Sequence, residues 1–231
     1  MISKHLDLND NIGSEGSLFN PFGPPIMHVS ANKNIINNIK NLIIDFINKT
    51  DNKITGIIHG TDAKDQENNS IVKGEIAAIP YNNDIDILND YINKITYQYS
   101  ISCFTSTLSN RFGDQVYTNI EEIVPKITSL WYVILKEGDF HIIHDHAHSD
   151  CMFSGAIYLD CPNVPDPQSK ISWIMSGSSN LLHNNVWGVV PKTGDIFIWP
   201  SWMSHTVYPF RGDGERLMIS FNSKIVTNND K

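Results

Sequence analysis

The chain has 231 residues, 17 Lys and Arg against 25 Asp and Glu, a formal charge of −8 and 9 histidines. That length fills one domain with a helical accessory layer, and an acidic balance without a basic run argues against unassisted binding to a phosphate backbone. No apolar run reaches the roughly 18 residues of a membrane span, the polar opening lacks the apolar segment of a secretory signal, and the unpatterned Cys103, Cys151 and Cys161 fit a reducing, cytosolic setting better than a disulfide framework.

In chain order, residues 1–25 are rich in Asn, Ser, Gly and Pro and read as an extended arm, followed by a short strand at 26–29. Residues 34–49 carry Ile35, Ile39, Leu42, Ile43 and Phe46 at helical spacing, an amphipathic helix whose stripe belongs to a core. Residues 53–70 read as a solvated loop, and 71–80 fit no single pattern. A second helix follows at 84–102, with Leu88, Tyr91, Ile92, Ile95 and Tyr99 on one side. Neither helix carries convergent titratable groups, so 26–126 reads as helical and mixed support packed on one face of a sheet.

From Ile127 the texture changes. All the tryptophans lie between Trp131 and Trp202, and helical periodicity disappears. Short β-rich runs at 130–135, 140–146, 155–159, 171–175, 187–190, 195–199, 204–208 and 216–221 are separated by Gly, Pro, Asn and Asp. Many short strands with regular turn signals predict an antiparallel sandwich or barrel, such as a jelly roll, over 127–224, with a tail at 225–231. No internal repeat and no linker divides the chain.

Three motifs in this half carry chemistry. The run from Gly138 to His148 holds His141, His144, His146 and His148. Strand alternation aims His144, His146 and His148 one way if the extended conformation persists, and imidazole is the commonest transition-metal ligand near neutral pH. His141 falls out of step with them. A solvated histidine-rich loop is the plain alternative. The second motif, Gly194 to His205, is a turn, an apolar strand and a Pro/Trp corner ending on one histidine. Alone, His205 reads as structural; paired with the upstream cluster it completes a facial set that leaves coordination positions open, as non-haem Fe(II) sites require. The third runs from Glu215 to Asn222, where Arg216, Met218 and Ser220 share one strand face. A guanidinium there can hold a carboxylate bidentately, with the Ser220 hydroxyl adding a bond; the alternative is a surface pair of Arg216 with Glu215 or Asp213.

These stretches, together with Ser154-Gly155-Ala156-Ile157-Tyr158-Leu159, resemble the Fe(II)- and 2-oxoglutarate-dependent oxygenases, most closely a group common in marine phages and bacteria. The segment from Leu18-Phe19 to Pro25-Ile26 and the first helix also fit. The resemblance implies a double-stranded β-helix (jelly-roll, cupin-like) core with N-terminal helices on one face. It implies Fe(II) and 2-oxoglutarate as cofactors, dioxygen, release of succinate and CO2, and hydroxylation of a small-molecule or peptidyl substrate. Trp131, Tyr158 and Trp199 are candidates for the pocket wall, although core packing is the commoner role for such residues.

The chain departs from the group in having two overlapping His-x-His pairs. Counting forward from Gly138 selects His144 and His146; counting back from Ser154-Gly155 selects His146 and His148. Extra residues are tolerated better in the turn at 147–151 than in a strand, which favours the first pair. His148-Ser149-Asp150, with Asp150 as a carboxylate ligand, is a third option. His146, His205 and one of His144 or His148 are the expected ligands, with Arg216 and Ser220 on the distal carboxylate of 2-oxoglutarate. A three-histidine cupin dioxygenase that needs no 2-oxoglutarate, and a non-catalytic jelly-roll module holding zinc, are the competing readings. The loops at 163–169 and 176–185, His183 among them, carry no assigned role.

Overall fold

Two-residue alternation in the second half of the chain is strict enough to build two cores on opposite faces of the same strands. The computed structural model describes residues 3–6, 15–19, 25–49, 54–59, 70–80, 85–112, 123–147, 150–175, 177 and 185–227. In chain order these form β1 (Ser3–Leu6), β2 (Glu15–Phe19), β3 (Ile26–Ser30), α1 (Lys33–Lys49), β4 (Ile54–His59), β5 (Ser70–Ala78) and α2 (Asp86–Phe112). There follow β6 (Ile123–Leu135), β7 (Phe140–His144), β8 (Phe153–Asp160), β9 (Ile171–Ile174), β10 (Val186–Val189), β11 (Asp195–Pro200), β12 (Ser204–Val207) and β13 (Arg216–Thr227). The strands run in the order β1-β2-β3-β11-β8-β13-β6-β5-β7-β12-β9-β10, with β4 on the other side of β5. Neighbours along the path are antiparallel, as in the β13–β6, β13–β8 and β12–β7 pairs.

On β6, β8, β11 and β13 one set of alternate residues faces the helices. Tyr132, Ile134, Ile157, Leu159, Ile196, Ile198, Leu217, Ile219 and Phe221 pack there with Ile36, Ile39 and Ile43 of α1 and Leu88, Ile92, Ile95 and Tyr99 of α2. The other set, Val133, Leu135, Ala156, Tyr158, Phe197, Trp199 and Met218, joins Ile171, Trp173, Met203 and Val207 inside the jelly roll. The period of two thus gives each strand a helix-facing and an interior-facing side. Asn32 caps α1 through its Oδ1, which accepts from the Asn34 amide at 2.8 Å. The Tyr99 hydroxyl ties α2 to the start of β3 by donating to the Pro25 carbonyl at 2.8 Å. Among the described residues no helix is long and apolar enough to cross a membrane.

The jelly-roll core and the helices on one face are as the sequence predicts. Three local expectations are corrected. The 1–25 arm contains the paired strands β1 and β2, whose short, polar sequences take strand form by extending the sheet beyond β3. The stretch read as loop at 53–70 contains β4, which pairs with β5 across Gly56 and Gly74 and lacks a readable alternation. Helix α2 runs on to Phe112, past the point where its apolar stripe fades.

Candidate metal and diacid site

His144 ends β7, and the register between β7 and β12 explains its company. His205 lies opposite His144 while Val207 lies opposite His141, so β7 carries one extra residue over this interval. Such a bulge re-aims side chains. It turns Ile142 and Ile143 outward, at 39 % and 55 % exposed, and lets His141 and His144 both face inward. The extended conformation does not persist to His148: the strand stops at His144 and His146 follows in irregular chain. The Pro/Trp corner brings His146 in. The His146 amide donates to the Ser201 carbonyl at 2.8 Å, and the Ser201 amide donates to the Met152 carbonyl at 2.9 Å. Met203 closes the turn by donating to the Pro200 carbonyl at 3.0 Å, which delivers His205 at the start of β12.

The outcome is a convergent trio. His144, His146 and His205 each offer a ring nitrogen, and these atoms lie within 4.8 Å of one another. Ring centroids are 4.2 Å apart for His144 and His205, 5.3 Å for His144 and His146, and 5.4 Å for His146 and His205. The His144 Nδ1 sits 2.8 Å from the Ile142 carbonyl and the His205 Nδ1 3.1 Å from the Met203 carbonyl. A carbonyl only accepts, so in both rings Nδ1 carries the hydrogen and Nε2 is left with its lone pair. Burial, with His144 and His146 alongside, holds His205 well below the usual histidine range, and burial lowers His144 as well. Both are therefore neutral near pH 7, the form that binds metal.

Arg216 is fully buried at the start of β13, with its guanidinium carbon 4.7 Å from the centre of the Tyr158 ring. Among the described residues its Nε, Nη1 and Nη2 have no hydrogen-bond partner, nor do the Tyr158 hydroxyl and the Trp173 and Trp199 indole nitrogens. Glu215 and Asp213 are exposed and do not pair with it. Burial pushes the Tyr158 phenol up to about 12 against the opposing pull of Arg216, so it stays a hydroxyl donor. An uncompensated buried charge costs about 3–5 kcal/mol. A fixed cation with an idle phenol donor packed against it is the complement of a carboxylate. Ser220, 9 % exposed, lies on the same face of β13 as Arg216.

His141 links the two subsites. His141 is buried against His144 at 5.9 Å between centroids, and the charge of Arg216 is among the causes, after burial and His144, that hold it well below its usual range. Among the described residues its Nε2 has no hydrogen-bond partner. Trp199 packs edge-on against His205 at 4.9 Å, and Trp131 lies 5.9 Å from His146. Asp150 is exposed and paired with Lys224 on the surface, so it does not join the trio. His148 and His183 lie outside the described residues. The sequence offers Tyr158 only as a pocket-wall candidate and gives no role to Asn222, whose amide lies behind His146. The signal for Asn222 was present, because it continues the Arg216, Met218, Ser220 alternation by one step.

Three convergent imidazoles, with no protein carboxylate beside them among the described residues, suit a divalent ion whose anionic ligands come from a bound acid. The buried guanidinium supplies the other end for a diacid. The residues present therefore fit Fe(II) and 2-oxoglutarate together.

Residues 129–222 match the family model described as "Putative 2OG-Fe(II) oxygenase". No curated protein matches the chain in sequence. Among solved structures, it is similar to a Pseudomonas putida prolyl-4-hydroxylase (TM-score 0.54, 12 % identity, 89 % of this chain and 95 % of that one). It is also similar to a Trichoplax adhaerens prolyl hydroxylase in complex with a hypoxia inducible factor peptide fragment (TM-score 0.54, 13 % identity, 86 % and 83 %). A third is the epimerase SnoN of nogalamycin biosynthesis in complex with Fe3+, alpha ketoglutarate and nogalamycin RO (TM-score 0.50, 10 % identity, 86 % and 78 %). At these identities the structural likeness carries the fold, and the family match carries the class.

Proposed function

We propose that this chain, a 2OG-Fe(II) oxygenase through residues 129–222, holds its iron on His144, His146 and His205 and grips 2-oxoglutarate with Arg216, Tyr158 and Ser220. The single observation behind the reading is the fully buried Arg216 guanidinium, its three nitrogens unpartnered among the described residues, in the same interior as three convergent histidines. Iron with 2-oxoglutarate and dioxygen supplies an oxidation that installs a hydroxyl on substrate and releases succinate and CO2.

The chain's residues do the rest. The Ile142 and Met203 carbonyls fix the tautomers of His144 and His205. Arg216 neutralises the distal carboxylate, and the Tyr158 hydroxyl orients it. Trp173, Trp199 and Met203, all buried, keep bulk water from this end of the barrel. Trp131 is half-buried beside His146 and is the wall on which a substrate group would rest. Two of the similar structures hold a peptide and a small molecule, and we place this chain's substrate in one of those two classes. Cys103, Cys151 and Cys161, none of which forms a disulfide among the described residues, support a cytoplasmic setting.

The test is a turnover assay with Fe(II), 2-oxoglutarate and dioxygen, reading succinate. Slow uncoupled succinate release that requires both Fe(II) and Arg216 is expected even before the substrate is known. Stoichiometric zinc in anaerobically purified protein, with no succinate after iron is supplied, would overturn the reading.

A further inference from the structure

His144 and His205 lean on main-chain carbonyls, which only accept. His146 is held differently. Its Nδ1 faces the Asn222 amide, with the Asn222 Nδ2 placed 3.5 Å away, and the Asn222 Oδ1 accepts from the Ser154 hydroxyl at 2.8 Å. All three residues are buried, at 5 %, 4 % and 2 % exposed. Asn222 lies opposite Ser154 across the β13–β8 pair and sits at the edge of a register shift on β13, so the sheet itself fixes this line of side chains.

Resting on the three-histidine reading above, we infer that Asn222, backed by Ser154, is a positioning residue that sets the tautomer and the aim of His146. For Nε2 of His146 to meet the ion, its Nδ1 must carry the hydrogen and needs an acceptor. An amide group offers oxygen and nitrogen at nearly the same size, so the hydrogen-bond network decides which faces which partner. In the metal-bound protein the Asn222 amide is turned over. Its Oδ1 accepts from His146 Nδ1, and its Nδ2 donates to the Ser154 oxygen, since a hydroxyl accepts as readily as it donates. Outer partners of this kind typically govern metal affinity by 10–100-fold. His146 is thus the ligand whose aim depends on replaceable side chains, and the Ser154 and Asn222 positions of the two motifs gain a shared purpose.

The orientation makes an unusual prediction, because a carboxylate can only accept. Apo protein is titrated anaerobically with Co(II), following the visible absorption of the bound ion, for wild type, Asn222→Asp, Asn222→Leu and Ser154→Ala. Asn222→Leu is expected to weaken Co(II) binding by about 10–100-fold, and Ser154→Ala by a smaller factor. Asn222→Asp should bind at least as tightly as wild type. As a second readout, nitrogen NMR of the zinc-loaded protein should show hydrogen on Nδ1 of His146 in wild type and in Asn222→Asp. If Asn222→Leu binds like wild type, or Asn222→Asp weakens as much as Asn222→Leu, the inference is wrong and the three-histidine site stands. If wild type itself takes up no Co(II), the site reading fails and carries this inference with it. The isosteric Asp variant keeps the test decisive should the Leu variant fold poorly.

Discussion

The guanidinium of Arg216 lies 4.7 Å over the ring of Tyr158, and among the described residues neither the guanidinium nitrogens nor the phenol hydroxyl has a partner at hydrogen-bonding geometry. A stack of this kind stabilises the cation by only about 2 kcal/mol when desolvated, less than the cost of burying it unpaired. On the proposed function, the chain holds Arg216 for a ligand at the expense of its own stability. Arg216→Met is expected to abolish stabilisation by 2-oxoglutarate, which at 100 times Kd amounts to about 2.7 kcal/mol in wild type. The same variant should unfold, without ligand, at a temperature no lower than wild type. Thermal scans of both proteins with and without 2-oxoglutarate and Mn(II) read both effects, and a variant that keeps the ligand shift would refute the assignment.

Tyr158→Phe separates the hydroxyl from the ring. The packing against Arg216 and Phe197 survives, while one donor to the carboxylate is lost. A hydrogen bond to a charged group contributes about 1.5–3 kcal/mol, so the dissociation constant for 2-oxoglutarate should rise by about 10–150-fold, with metal affinity unchanged. Calorimetric titration into the Mn(II) form measures the former and Co(II) absorption the latter.

Removing a ligand has a different signature. His205→Ala should weaken Co(II) binding by more than about 100-fold, beyond the effect expected of an outer partner. Chelation of metal from wild type should lower its thermal midpoint, because the ion binds only the folded chain. The midpoint of His205→Ala should ignore the chelator.

The histidines also set a pH dependence for the metal-free protein. Burial lowers His141, His144 and His205 in the folded state, whereas the unfolded chain takes up protons near pH 6.5. Below that value the unfolded state binds more protons, so stability is present above about pH 6.5 and is lost as the pH falls toward the depressed folded values. Each fully buried ring contributes up to about 1.4 kcal/mol per pH unit in that window. Urea unfolding at pH 7.5 and 5.5 should show His141→Gln losing less stability than wild type across the interval, by about 1.4 kcal/mol. Equal losses would show that His141 is protonated in the fold.

What the sequence made legible follows from how local its causes are. The strands of the second half and the aim of Arg216 come from a period of two, and that period is written in residues such as Leu217, Met218 and Ile219. His205 was legible only through its partner motif, since a lone histidine carries no direction. His141 was set aside because strict alternation puts it out of step. The bulge that turns it inward is a property of β7 and β12 together, and one strand read alone does not show it. For the same reason β4 stayed hidden: its pairing with β5 does not depend on a pattern within its own six residues. Ser154 and Asn222 stood in the motifs as polar residues in apolar strands, and only the pairing of β8 with β13 shows that they meet.

Gly155, beside Ser154, gives the last prediction. It faces the helix-side core, where a side chain would overlap the Phe221 ring: a methyl there would reach the ring tip and lie 2.7 Å from Cε1. Phe221 is fully buried, and β8 pairs with β11 on one side and β13 on the other, so neither ring nor strand has open space to retreat into. Overpacking of this kind costs about 1–3 kcal/mol. For a chain of this length that corresponds to a fall of about 2–12 °C in thermal midpoint. Gly155→Ala should show that fall and, by pushing Phe221 and the adjacent Asn222, weaken Co(II) binding as well. Phe221→Leu in the same chain makes room for the methyl and should recover part of both losses. A Gly155→Ala protein as stable as wild type would show that Phe221 moves freely and that the glycine is not required by packing.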